Sequence, residues 1–105
     1  MTALTIDKLK SILTPLFKKK GVIKAVVFGS FARKTDSRKS DLDLMIIVET
    51  NKRFFERYET FNEIFEVIRG PAIDMLIYTP EELKNISHRV FIQRILKEGS
   101  TIYEH

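Results

Sequence analysis

The chain contains no cysteine. That excludes a disulfide framework and a thiolate metal centre, and it fits a reducing compartment. His88 has no sequence neighbour that completes a metal-ligand pattern, so it is expected to face solvent. Glycine is scarce at four residues, and Gly21, Gly29, Gly70 and Gly99 each fall where a periodic segment stops. No apolar run approaches the ~20 residues of a membrane span, so no membrane partner is expected. The first residues lack a basic flank followed by an apolar core, so no secretion signal is expected and the location implied is cytoplasmic. There is no repeat, low-complexity tract or linker. The 105 residues are therefore expected to form one domain, 1–105. A chain of this length buries about two-thirds of its unfolded surface, enough for one core but not for a deep, enclosed active site.

What is present is an ordinary apolar content of 44% and a mildly basic balance, with formal charge +4 and pI about 9.4. Such a balance suits polyanions, RNA or nucleoside triphosphates among them, and equally a lysine-rich solvated surface. The two hydrophobic periods alternate along the chain. Residues 5–20 predict a helix: Thr5 caps it, Asp7 suits its first turn, and Leu9, Ile12, Leu13, Leu16 and Phe17 recur at helical spacing. Pro15 is expected to kink or break it, and Gly21 to end it behind Lys18, Lys19 and Lys20.

Val22–Phe28 reads as a central strand, Ser30–Lys34 as a short helix, Thr35–Ser40 as a polar loop, and Leu42–Glu49 as a second strand. Residues 53–69 predict one amphipathic helix with Phe54, Tyr58, Phe61, Phe65 and Ile68 as its stripe, stopped by Gly70-Pro71. Ala72–Tyr78 is a third strand. Thr79-Pro80-Glu81-Glu82 opens a helix with a capping box, which runs to about Lys97 with a break near Ser87. Ser100–Tyr103 adds a short edge strand. The order implies an α+β fold, a small mixed β-sheet with helices packed on it. The short link between the first two strands suits antiparallel pairing, and the helical segment after the second suits a crossover.

The chemistry concentrates in two places. Gly29-Ser30 makes a tight turn at the end of the first strand, where backbone N–H groups and a hydroxyl can meet phosphate oxygens, with Arg33 one helical turn on. Asp41 and Asp43 stand two residues apart at the mouth of the second strand, so they point the same way. Asp74 is the only charge in the third. Carboxylates held among apolar strands are costly unless paired or metal-bound. If the second and third strands are neighbours, the trio converges as hard oxygen ligands for Mg²⁺ or Mn²⁺. Each feature also has a plain structural reading. Gly29-Ser30 is a common turn, Asp41 can cap the strand entry, Asp74 can pair with a buried arginine, and Lys34, Arg38 and Lys39 can simply be solvated.

Gly29-Ser30, Arg33, Ser40-Asp41-x-Asp43-Leu44 and a later strand aspartate, Asp74, in this order resemble the minimal nucleotidyltransferases of the DNA polymerase β-like superfamily. The chain is most similar to the MntA-type antitoxins that pair with HEPN-domain RNase toxins. The resemblance covers nearly the whole chain. It implies the polymerase β-like nucleotidyltransferase fold and two-metal nucleotidyl transfer from ATP. Asp41 and Asp43 hold two Mg²⁺ ions, Asp74 completes the coordination or accepts the proton, and Gly29, Ser30 and Arg33 serve the nucleotide. It further implies that AMP goes to a tyrosine hydroxyl of the HEPN toxin. The small size of the chain suits a protein acceptor, with no direct nucleic-acid partner expected. Val90, Phe91, Ile92, Ile95 and Leu96 are too many for a narrow stripe, so some are expected to face that partner. Two alternatives stay open: an antitoxin that neutralises by binding alone, and a nucleotidyltransferase acting on RNA or a small molecule.

Overall fold

The protein is described by a computed structural model in which residues 4–29, 31 and 41–105 are placed. The expected short helix at 30–34, Phe31 apart, and the loop at 35–40 lie outside the described residues.

Helix α1, Ile6–Lys20, begins where Thr5 accepts a hydrogen bond from the Lys8 backbone N–H at 3.1 Å and ends where Gly21 takes the left-handed conformation. Leu9, Leu13, Leu16 and Phe17 are buried. Pro15 does not break the helix as the sequence suggested. It sits on the exposed face, where the carbonyl it leaves without a partner is open to water, while buried residues on both sides hold the turns together. The Thr14 hydroxyl donates to the Lys10 carbonyl in the same turn, at 2.6 Å.

Strands β1 (Val22–Phe28), β2 (Leu42–Val48), β3 (Ile73–Tyr78) and β4 (Ser100–Glu104) form one sheet in the order β3-β2-β1-β4. β1 pairs antiparallel with β2 and β4, and β2 pairs parallel with β3, as the link lengths imply. The sheet is covered on both faces. Ala25 and Val27 of β1 and Leu44 and Ile46 of β2 join Leu9, Leu13 and Phe17 of α1 in one core. Alternate residues, Val26, Met45 and Ile47, join Ile92 and Ile95 in a second.

The predicted helix over 53–69 is not continuous. It consists of a 3₁₀ turn, Phe54–Glu56, then α2, Arg57–Thr60, and α3, Glu63–Val67. The interruption at Phe61 and Asn62 changes the phase of the stripe. Phe61, Ile64 and Ile68 are buried, whereas Phe65 is left exposed. Arg57 explains part of the break. It is only 6% exposed and is held by hydrogen bonds to the carbonyls of Lys52 and Ile77 and by both carboxylate oxygens of Glu82. A cation tied at four points fixes the short α2 to β3, regardless of helical periodicity.

Helix α4, Pro80–Ile86, carries the complete capping box: the Glu82 N–H donates to Thr79 Oγ1, and the Thr79 N–H donates to Glu82 Oε1. Helix α5, Val90–Glu98, follows after the expected break. Ile92 and Ile95 face the sheet, while Val90, Phe91 and Leu96 remain exposed.

Candidate active site

The sheet register decides which aspartates meet. In the parallel β2–β3 pair Asp43 stands opposite Asp74. In the antiparallel β1–β2 pair Asp43 stands opposite Phe28, the residue before Gly29. Alternation puts Asp43 on the face of Met45 and Ile47, and Asp74 on that of Leu76 and Tyr78, so both carboxylates lie on the side covered by α4 and α5. Asp41 precedes β2 by one residue and is exposed, as is Asp74, while Asp43 is half-buried.

Asp43 is the electrostatic centre of the group. Burial raises its affinity for a proton, and the charges of Asp74 and Asp41 raise it further. Its side chain has no hydrogen-bond donor or cation in contact among the described residues. Among the described residues no arginine pairs with Asp74, and the one that is buried there, Arg57, is committed to Glu82 at 2.6 Å.

Gly29 is shaped around this carboxylate. Its φ is 76°, in the left-handed region, and a Cβ built on it would overlap Asp43 Oδ2. The missing side chain therefore makes room for an oxygen that has no partner among the described residues. A half-buried carboxylate in register with Asp74, with space kept beside it, offers the hard oxygen chemistry that Mg²⁺ prefers. Among the described residues, no three acidic or histidine side chains close into a ready-made cage. Asp41, Asp43 and Asp74 are thus not drawn together into the three-carboxylate ligand set expected from sequence; one or two carboxylates, with water and substrate phosphate oxygens, are the usual way Mg²⁺ is held. Ser30 and Arg33, the other two nucleotide residues expected from sequence, lie outside the described residues.

Tyr58 of α2 packs against the core on the opposite face of the sheet, at β3. Its hydroxyl donates to the Met75 carbonyl at 2.8 Å, and burial, with Tyr78 and Asp74 adding to it, keeps the phenol protonated to higher pH than usual. Phe28, Gly29, Phe91, Arg94, Ile95, Glu98 and Gly99 enclose a cavity of about 210 Å³ with Asp43 in its wall. The helix contribution was not foreseen: Phe91 stood among the apolar positions of which some were expected to face a protein partner, and nothing in the sequence singled out Arg94.

The model of the family Polymerase beta, Nucleotidyltransferase matches residues 8–105. The chain belongs to this family. Among similar proteins, one from Methanocaldococcus jannaschii named "Putative protein adenylyltransferase" is 30% identical over 96 residues, covering 91% of this chain and 96% of that one. Two solved structures share the fold. A toxin–antitoxin with AMP-PNP has a TM-score of 0.68 at 16% identity, covering 91% of this chain and 73% of that one. A mutant of the toxin–antitoxin MntA-HpeT has a TM-score of 0.65 at 12% identity, with the same two coverages, 91% and 73%.

Proposed function

We propose that this nucleotidyltransferase is a Mg²⁺-dependent protein adenylyltransferase that transfers AMP from ATP to a hydroxyl of a toxin, a tyrosine of a HEPN-domain RNase in the sharpest form, and so acts as its antitoxin. The observation that carries the reading is the register that sets Asp43 against Asp74 beside a glycine whose missing side chain leaves space at the carboxylate. The name of the Methanocaldococcus relative supports adenylyl transfer to protein. The toxin–antitoxin neighbours, one of them with AMP-PNP, support the nucleotide and the class of partner.

Asp41 and Asp43 would hold the metal, with Asp74 beside them. Bound Mg²⁺ supplies charge that offsets the developing negative charge on the entering and leaving oxygens. The amides of the Gly29-Ser30 turn would anchor the β- and γ-phosphates, and Arg33 would add charge there. Asp74 would take the proton of the acceptor hydroxyl as its oxygen bonds to the α-phosphorus. The α–β phosphoanhydride bond breaks, and pyrophosphate leaves.

The test is transfer of label from [α-³²P]ATP, with Mg²⁺, to the product of the adjacent gene. The wild type is expected to label it and Asp43→Asn to lower the rate at least ~100-fold. Wild-type failure, or full transfer by the variant, would overturn the enzyme reading. The exposed Val90, Phe91 and Leu96 of α5 favour one competing account, neutralisation by binding alone. Growth rescue by Asp43→Asn equal to wild type would select it.

A further inference from the structure

The cavity beside Asp43 shares Asp43 and Gly29 with the chemistry above, but Phe28, Phe91 and Arg94 in its wall have no role there. Strand order fixes the sides: Asp74 lies on the β3 side of Asp43, and Gly29 with the cavity lies on the β1 side. An acceptor that gives its proton to Asp74 comes from the first side. The second side is then left for the donor. At about 210 Å³ the cavity is smaller than the ~300 Å³ at which pockets take whole drug-sized ligands, so it fits part of a nucleotide.

Its lining is suited to that part. Phe91 is 56% exposed, and its ring meets Phe28 edge-on, with centroids 5.9 Å apart. The edge contact orients the ring while leaving area uncovered, and an exposed aromatic face stacks on a base of any kind. Arg94, one turn further along the helix, lines the same cavity and has no carboxylate within ion-pair distance among the described residues. A guanidinium beside a phosphate turn is a natural partner for nucleotide charge. We propose that this cleft between α5 and the end of β1 is the nucleoside subsite of the donor, with Phe91 as the stacking platform and Arg94 as the cation at its mouth. The assignment rests on the nucleotidyltransferase reading of the three aspartates.

The chain has no tryptophan, so Phe91→Trp places a single indole at the platform. Titrating that variant with Mg²⁺ and either ATP or inorganic tripolyphosphate separates base from phosphate. Indole quenching is expected with ATP and not with tripolyphosphate. In parallel calorimetry, Phe91→Ala is expected to weaken ATP about tenfold and to leave tripolyphosphate unchanged. Phe91→Trp should restore wild-type affinity, and Arg94→Gln should weaken both ligands. If wild type binds ATP and Phe91→Ala binds it equally well, or loses both ligands equally, the subsite is overturned and the aspartate site stands. If wild type binds neither ligand, the nucleotidyl-transfer reading fails and the subsite falls with it.

Discussion

A carboxylate at position 43 costs the fold stability, and the cost has a sign that can be measured. Burial, then Asp74 and Asp41, raise the native affinity of Asp43 for a proton. Protonation therefore favours the native state. The penalty is absent below the ordinary aspartate range and appears as pH rises through the raised native value. Asp43→Asn is expected to melt a few degrees above wild type at pH 7 without metal, the gap closing by about pH 3. Mg²⁺ should raise the melting temperature of wild type and leave that of the variant unchanged. A variant that melts below wild type at pH 7 would show that the three charges are not in conflict. Gly29 belongs to the same balance. Gly29→Ala combines a left-handed backbone with a Cβ in the space of Asp43 Oδ2, so a loss of about 1–2 kcal/mol in urea unfolding is expected, together with loss of transfer.

At the level of elements, the sequence was most legible where local chemistry decides the structure. The Thr5 cap, the Gly21 terminator and the Thr79–Glu82 capping box stand where their residue types put them, because these devices need only near neighbours. The segment 53–69 was misread because its break is set from outside. Arg57 is anchored to Ile77 and Glu82, both distant in sequence, and no periodicity announces that a charged residue will be buried. The Arg57 and Thr79 hydrogen bonds hold the Glu82 carboxyl down to about 2. A lowered native value gives stability that is full above the ordinary range and lost as pH falls toward about 2. Glu82→Gln should flatten the stability profile across that interval relative to wild type. Glu82→Ala strands a buried guanidinium and should cost about 2 kcal/mol at pH 7. Pro15→Ala, on an exposed helical face, should stabilise the protein, seen as a higher melting temperature.

Across the molecule, the mixed sheet converts a spacing into a site. The D-x-D pattern puts Asp41 and Asp43 in reach of one another, but only the parallel pairing of β2 with β3 brings Asp74 alongside. That pairing was inferable from the crossover-length segment between the two strands. The closeness of α5 to Asp43 was not, since it depends on how the second core packs Ile92 and Ile95 against Val26 and Met45. The same packing leaves Phe91 and Arg94 at the cavity. The central claim is that Asp41, Asp43 and Asp74 form one divalent-cation and nucleotide centre beside Gly29. The most direct measurement is a crystal structure with Mg²⁺ and a nonhydrolysable ATP analogue. Metal density bridging the Asp41 and Asp43 oxygens and the phosphates, with Asp74 alongside, is the expected result. A bound nucleotide elsewhere, with the three carboxylates turned apart and bare, would contradict it.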